Sequence, residues 1–128
     1  ISWGSKEGKE ANDEDNLYYK NLVNTWREGN VHVTSDEGES PMDVLNRQKP
    51  VVDLIISRPE EKSILIAMHG RAMRVLLTHL FNEPLHHMDN FAHFNLCLYH
   101  IRYNYSTAKF ELVDACNIAH LKHLPESM

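Results

Sequence analysis

The apolar run at residues 63–68, followed directly by His69 and Gly70, constrains the fold of this 128-residue chain more than any other stretch. It reads S-I-L-I-A-M and continues into H-G-R-A-M-R. An apolar strand that turns into a helix through a glycine is typical of an open α/β sheet. The turn sets an imidazole beside a helix N-terminus, where free N–H groups and the helix dipole attract anions. The stretch therefore predicts a phosphate site.

Two segments upstream of this unit have recognisable patterns. Apolar residues at helical spacing over residues 15–28, with Gly29 suited to the C′ position, predict a helix. Residues 30–39 are rich in Asn, Thr, Ser, Asp and Gly and predict a loop, within which a short extended piece at 31–33 stays open.

A second helix is predicted to begin after Ser40. Ser40 suits the N-cap position, Pro41 suits the first helical position, and an acidic residue follows in the first turn. The helix should run towards residue 57. Pro50 lies inside this span and costs about 3 kcal/mol in a helix interior, which predicts a kink or a break near Gln48.

The second half of the chain combines a helix with a strand pair. Residues 71–81 have a broad apolar face and predict a helix, and residues 82–89 predict a loop. Alternating residues at 95–103 and a short extended segment at 109–113, joined through 105–107, predict an antiparallel hairpin. We therefore predict the α/β class, with a layered α/β/α sheet, helices on both faces and an antiparallel hairpin at its edge.

Charge and hydropathy restrict the partners. The formal net charge of -5 comes from the first 40 residues, which hold nine acidic and four basic side chains, whereas the rest of the chain holds nine of each. Proteins that bind nucleic acid present a basic footprint, so we expect no nucleic-acid partner. The longest apolar runs are too short to span a bilayer, so we expect no membrane partner. Cys97 and Cys116 fit no zinc or redox spacing and are expected to be reduced and partly buried, as in the cytoplasm.

Short motifs in a fixed order along the chain resemble those of a known family. The series is Trp3-Gly4, Glu7-Gly8, Gly38-Glu39-Ser40 ahead of Arg47, His69-Gly70 with Arg74, Asn95, and Asn117 with His120-Leu121. An isolated His-Gly pair would carry no weight, but the ordered series covers nearly the whole chain. The chain resembles the histidine phosphatase superfamily, and in particular its phosphoglycerate mutase-like branch.

The resemblance implies a phosphoryl-transfer enzyme that forms a phosphohistidine without a metal or organic cofactor. An Arg-His-Gly motif supplies the nucleophile in this family, a second histidine binds the transferring phosphoryl group, and an acidic residue protonates the leaving alcohol. His69 matches the second histidine and is the expected catalytic residue, with Gly70 and Arg71 beside it in the expected phosphate-binding set. It would stabilise the charged equatorial oxygens of the transferring group.

The chain departs from the family pattern at its beginning. No Arg-His-Gly occurs in the 128 residues, and residues 1–4 resemble the stretch that directly follows the family's acidic residue. We therefore expect residues 1–128 to be the C-terminal part of a single domain whose sheet lacks its first strand, and to be inactive alone. The unpaired edge at 63–68 is expected to recruit the missing N-terminal segment or another copy of the chain.

Several side chains have both a functional and a structural interpretation. Arg71 could bind phosphate bidentately or remain a solvated cation in the first helical turn. Arg74, one turn further on, fits an ion-pair partner better than a ligand. Glu39 could contact substrate or brace its loop, and we favour bracing, with Ser40 as the helix cap.

The remaining histidines and amides are interpreted as structural. The histidines at 86, 87 and 93 match no zinc template, and Asp89 is the single nearby acid, so a surface loop rich in histidine is favoured over a metal site. Asn117 and His120 are placed by the resemblance near the end of the sheet, where a structural role is the default.

Two classes of function are compatible with the sequence. The first is a phosphatase or mutase acting on a small phosphorylated substrate or inorganic phosphate. The second is a non-catalytic interaction module derived from the same fold. The two differ in whether an Arg-His-Gly precedes residue 1 in the parent polypeptide. The substrate, and the choice between phosphatase and mutase, stay open.

Overall fold

The computed structural model describes residues 1–10 and 12–123. Within them the helices α1 (Asp13–Arg27), α2 (Pro41–Ile56) and α3 (Gly70–Leu80) precede the strands β1 (Leu98–Asn104) and β2 (Lys109–Asn117). Short 3-10 helices lie at Gly4–Lys6, Leu85–Asn90 and Ala119–Leu121. None of the helices in this part of the chain has the length and apolar character that a bilayer crossing requires.

Helix α1 begins at a capping box and ends at a glycine. The Asn12 side chain accepts a hydrogen bond from the Asp15 N–H at 2.8 Å, and the Asp15 carboxylate accepts one from the Asn12 N–H. These bonds satisfy N–H groups that the first helical turn leaves free. Gly29 follows the C-cap with φ at +105°, a left-handed conformation that suits glycine. The predicted helix is confirmed, with a start two residues earlier.

The predicted start of helix α2 is also confirmed. The Ser40 hydroxyl accepts a hydrogen bond from the Asp43 N–H at 3.1 Å, and the Asp43 carboxylate accepts one from the Ser40 N–H at 2.9 Å. Pro41 occupies the first turn, where its missing N–H costs nothing.

The predicted break near Gln48 is wrong, because helix α2 continues through Pro50 to Ile56. Pro50 and Asn46 are both exposed, so water can satisfy the Asn46 carbonyl that loses its helical partner. Gln48 instead lies on the buried face and donates from Nε2 to the Ala72 carbonyl at 2.9 Å. Helix α2 packs against α3, and this hydrogen bond ties the turn before the proline to α3.

The hydrophobic core lies among the helices. It is formed by buried residues of α1, α2, α3, the loop before α2 and the 3-10 helix at Leu85–Asn90: Leu22, Val23, Trp26, Val31, Val44, Leu45, Ala72, Val75, Leu85 and Met88. Helix α3 packs against α2 and against Leu85–Asn90. The predicted arrangement, with helices covering both faces of a sheet, is not what the described residues form.

Residues 63–68 form no strand, contrary to the prediction. Their side chains are exposed, and Leu65 is 86% exposed. Within residues 1–10 and 12–123, the sheet consists of β1 and β2, and neither is hydrogen-bonded to this segment. A strand forms when its backbone has a lateral hydrogen-bonding partner, and the neighbouring helices cannot supply one.

The predicted hairpin is confirmed. Strands β1 and β2 pair antiparallel, with Tyr103 opposite Phe110 and Arg102 opposite Glu111, and the register shifts near the base between Leu98 and Ile101. Tyr103 and Phe110 pack their rings 4.6 Å apart, as cross-strand aromatic pairs do. Both cysteines are free and half-buried, as expected.

One loop prediction needs correction, and one open question is resolved. Residues 85–90 form a 3-10 helix where a loop was predicted, because Leu85 and Met88 lie one turn apart and both enter the core. The open question of an extended piece at 31–33 is also resolved: these residues form no strand, and residues 31 and 32 form a turn within the predicted loop. The Val31 side chain is buried there, and its carbonyl accepts the Met42 N–H at 3.2 Å.

Substitution of Gly4 by alanine is expected to lower the free energy of unfolding by about 2 kcal/mol. Gly4 has φ at +61°, and a Cβ atom there would lie 1.9 Å from the Asp36 carbonyl oxygen. The matched control is Gly8→Ala, since Gly8 also has a positive φ of +72° but nothing lies within 4 Å of an added Cβ. Urea unfolding of both variants measures the difference, and equal losses would contradict the close approach at Asp36.

Candidate functional site

His69 occupies the N-cap position of helix α3. Its backbone is extended, with φ at -78° and ψ at 157°, and its carbonyl accepts the Met73 N–H at 2.9 Å. The side chain is exposed and makes no capping hydrogen bond. The N–H groups of Gly70, Arg71 and Ala72 precede the first intrahelical bond and have no intrahelical partner. An imidazole and several backbone donors therefore share this end of the helix.

Gly70 allows the His93 ring to lie close to the start of α3. The His93 ring lies so close that a Cβ atom on Gly70 would sit 2.6 Å from its Nε2 atom. Burial, together with the charges of Arg74 and Arg71, lowers the pKa of His93, which favours the neutral imidazole. From the sequence His93 was expected to lie in a surface loop, and no local pattern indicates its contact with the start of α3.

The Arg71 side chain is buried. Its side chain is 9% exposed, its Nη1 atom pairs with the Asp89 carboxylate, and its Nη2 atom donates to the Tyr19 hydroxyl at 3.1 Å. The guanidinium also lies over the Trp26 ring at 5.8 Å. Its Nε atom is buried and has no hydrogen-bond partner among the described residues. Its predicted role as a phosphate ligand stays a prediction.

Asp89 joins three arginines from two helices. Its carboxylate accepts from Arg27 Nε at 2.6 Å, pairs with Arg71, and lies 3.4 Å from Arg74 Nη1. Arg74 also donates from Nε to the Phe91 carbonyl at 2.9 Å, so its interactions are those of an ion-pair and packing partner. Three guanidinium groups around one carboxylate leave a positive surplus at the first turns of α3.

The environment of Asp89 determines its ionisation. Burial raises the pKa of Asp89, but the hydrogen bond from Arg27 and the charge and hydrogen bond of Arg71 outweigh burial and hold the pKa below its ordinary value. The carboxylate is therefore charged at neutral pH. From the sequence Asp89 was considered only as a metal ligand, because its pairing with Arg71, 18 positions away, leaves no local pattern.

Substitution of Asp89 by asparagine is expected to lower the free energy of unfolding by about 2 kcal/mol at neutral pH, because the buried Arg71 and the more exposed Arg74 and Arg27 lose their counter-charge. The pKa of Asp89 is lower in the folded protein than in the unfolded protein, where it is about 3.9. Ionised Asp89 therefore stabilises the fold above that pH, and its contribution is lost as the pH falls through the lower pKa of the folded state. The gap between the two proteins should therefore narrow below about pH 4. Urea unfolding at several pH values checks this.

The matched control for this prediction is Asp53→Asn, on the exposed face of α2. It is expected to change the stability by less than about 0.5 kcal/mol. A gap between wild type and Asp89→Asn that stays constant down to low pH would contradict the electrostatic role of Asp89.

Glu39 and Ser40 connect the N-terminal segment to helix α2. Glu39 accepts hydrogen bonds from the Ser2 N–H at 2.7 Å and from Arg47 Nε at 2.8 Å. The hydrogen bond from Arg47 lowers the pKa of Glu39 more than its burial raises it. Ser40 caps α2. The contacts of both residues are with the protein itself, and they brace the loop before α2.

The other candidates of the sequence analysis lie apart from His69 in their contacts. His86 and His87 pack their rings 4.3 Å apart, and His87 lies 3.9 Å from Glu83. Asn117 contacts Asp114 and the Ala119 N–H, and His120 contacts the Leu96 carbonyl: these pairs tie together the end of the hairpin. Across residues 1–10 and 12–123, no three His, Cys, Asp or Glu side chains are grouped to hold a metal ion.

Comparison with models of protein families identifies the family of this chain. A model of the histidine phosphatase superfamily (branch 1) matches residues 1–115. The helices and small sheet fit the α/β class of these phosphoryl-transfer enzymes. The chain belongs to the histidine phosphatase superfamily. Comparison with curated proteins gives no significant match.

Proposed function

We propose that this chain is the C-terminal part of a single phosphoglycerate mutase-like domain that acts on small phosphomonoesters through a phosphohistidine. The observation that carries the proposal is the exposed His69 imidazole at the start of helix α3, in a chain that belongs to this superfamily. His69 is the second histidine of the site. It holds the transferring phosphoryl group, and the nucleophilic histidine and the acid lie outside these 128 residues.

The start of helix α3 supplies the other groups that bind phosphate. The N–H groups of Gly70 and Arg71 have no intrahelical partner and suit the phosphoryl oxygens. The positive surplus around Asp89 attracts an anion to the same place. Phosphoryl transfer depends on such preorganised charge stabilisation, because the protein has little covalent chemistry to perform beyond the phosphohistidine.

The exposed apolar segment at residues 63–68 supports the proposal that part of the sheet lies elsewhere. Ile64, Leu65, Ile66 and Met68 are exposed directly before His69. In the complete domain this segment is a strand of a layered α/β/α sheet and pairs with the N-terminal segment or with another copy of the chain. An intact mass equal to 128 residues, together with monomeric sedimentation, would contradict both forms of pairing.

Hydrolysis of an aryl phosphate by the complete polypeptide tests the function. We expect turnover of p-nitrophenyl phosphate, an acid-labile phosphoenzyme trapped during turnover, and no turnover by residues 1–128 alone. The proposal includes no metal or cofactor, so activity should survive dialysis against EDTA. A complete polypeptide without turnover or phosphoenzyme would overturn it. We place the protein in the cytoplasm, where its two free thiols stay reduced.

The second candidate is a non-catalytic interaction module with the same fold. It is favoured by the absence of an Arg-His-Gly motif from the 128 residues. The sequence that precedes residue 1 in the parent polypeptide discriminates between the two. An Arg-His-Gly there supports the enzyme, and its absence supports the module.

A further inference from the structure

The loop that follows the 3-10 helix at Leu85–Asn90 brings His93 to the start of helix α3. Its ring packs on Gly70, and the Nε2 atom is the part of the ring that lies closest. A Cβ atom added to Gly70 would lie 2.6 Å from Nε2, 2.7 Å from Cε1 and 2.9 Å from Cδ2. Gly70 directly follows His69 in the chain, so two histidines adjoin the same glycine.

Two hydrogen bonds hold the backbone just before His93. Arg74 of α3 donates from Nε to the Phe91 carbonyl at 2.9 Å, and the Tyr99 hydroxyl of β1 donates to the Ala92 carbonyl. The loop is thereby tied to a helix on one side and to the hairpin on the other. A side chain whose backbone is held in this way loses less conformational freedom when it binds a ligand.

The polar atoms of His93 are available to a ligand. The residue is exposed, and no hydrogen bond joins its ring to any other residue of the described ranges 1–10 and 12–123. Partial burial and the charges of Arg74 and Arg71 hold the pKa of His93 below its ordinary value, so the ring is neutral at neutral pH. A neutral imidazole has one N–H, which can donate to an anion without adding to the positive surplus around Asp89.

We propose that His93 binds the phosphate group of the substrate together with His69, by a hydrogen bond from its Nε2 atom to a phosphoryl oxygen. This inference rests on the proposed phosphate site and adds to it a residue from a distant loop. Nε2 lies close to Gly70, whose own N–H has no intrahelical partner, so both donors suit the same anion. The phosphoryl oxygens are present in the substrate and in inorganic phosphate alike, so the contact should lower KM more than it raises kcat.

Calorimetric titration of the complete polypeptide with inorganic phosphate tests this contact without requiring turnover. We expect saturable binding that weakens about tenfold in His93→Ala, the loss that removal of one hydrogen bond to a charged group brings. His93→Gln places an amide N–H near the position of Nε2 and should bind phosphate within about threefold of wild type. The matched control is His100→Ala, which removes an exposed imidazole from β1 and should leave the affinity unchanged.

A double-mutant cycle with Gly70 tests the geometry. Gly70→Ala keeps the backbone N–H, and alanine suits the helical conformation of this position, but the added Cβ should displace the His93 ring. We expect phosphate to bind about fivefold more weakly to Gly70→Ala, and we expect no further loss when this change is combined with His93→Ala. If His93 only braced the loop, the two losses would be absent or independent.

Kinetics with p-nitrophenyl phosphate separate this inference from the proposed function. In an active polypeptide His93→Ala should raise KM about tenfold and change kcat less than about threefold. Phosphate binding that depends on His93 in a polypeptide without turnover would overturn the enzymatic proposal alone. The inference itself is overturned if wild type does not bind phosphate saturably, if His93→Ala binds it as tightly as wild type, or if His93→Gln binds it as weakly as His93→Ala. His93 is exposed, so these substitutions should leave the fold intact, which circular dichroism checks.

Discussion

Substitution of His69 by alanine is expected to reduce kcat/KM for p-nitrophenyl phosphate at least 100-fold in the complete protein. Removing one group that stabilises developing charge in a transition state costs roughly 100-fold to 1,000-fold in rate. His69 is exposed at the start of α3 and makes no capping bond, so the substitution should leave the fold intact. Steady-state kinetics and the yield of trapped phosphoenzyme measure the loss.

The matched control is His32→Ala, which removes another exposed imidazole, from the loop before α2. It should retain full activity. Both variants should unfold within about 0.5 kcal/mol of wild type. Full activity in His69→Ala would remove this residue from the site.

Substitution of Trp26 by alanine is expected to lower the free energy of unfolding by about 4 kcal/mol. Trp26 is 0% exposed and connects several parts of the molecule. Its Nε1 atom donates to the Val33 carbonyl at 2.7 Å, its ring stacks with Trp3, and the Arg71 guanidinium lies above it. Truncation to alanine would leave a large void. It would also leave the Val33 carbonyl without its donor and remove the ring that lies against the Arg71 guanidinium.

Two further variants separate these contributions. Trp26→Phe keeps most of the apolar ring but loses the N–H donor, so we expect a loss of about 1 to 2 kcal/mol. Leu65→Ala, which truncates an apolar side chain that is 86% exposed, should cost less than about 0.5 kcal/mol. Urea unfolding with its m-value gives all three numbers. A loss below about 1 kcal/mol in Trp26→Ala would contradict its place in the core.

The elements that the sequence predicts well are those decided within a few residues. The start of α2 depends on the Ser40 side chain and an N–H three positions further on, and the end of α1 depends on the backbone conformation of Gly29. The hairpin depends on two alternating segments and a short connection. Each of these signals is local, and each element occurs where the pattern indicates.

The predictions that fail depend on neighbours distant in sequence. Pro50 has a break signal, but packing of α2 against α3 overrides it. Residues 63–68 have a strand-like pattern, but no described segment lies beside them to complete the backbone hydrogen bonds. The apolar pattern indicates that a segment can form a strand, but the strand forms only where another segment supplies the backbone hydrogen bonds.

The candidate site also contains features that the local sequence predicts and features that depend on distant residues. The His69-Gly70 step and the helix after it follow from the local pattern, so the imidazole and the first free N–H groups of α3 could be expected together. Arg71 could not be assigned from sequence, because its partner Asp89 follows 18 residues later and Tyr19 precedes it by 52. The contact between Gly70 and His93 is likewise a product of chain folding.

The amino-acid sequence by itself determined the cap of α2, the end of α1, the hairpin, the histidine at the start of α3 and the resemblance to the superfamily, because propensity and spacing act over one or two turns of chain. Tertiary structure alone decided the three-arginine contact at Asp89, the burial of the Arg71 side chain and the contact between Gly70 and His93. These features depend on which side chains are buried against one another, and this is decided only when α1, α3 and the loops between them pack.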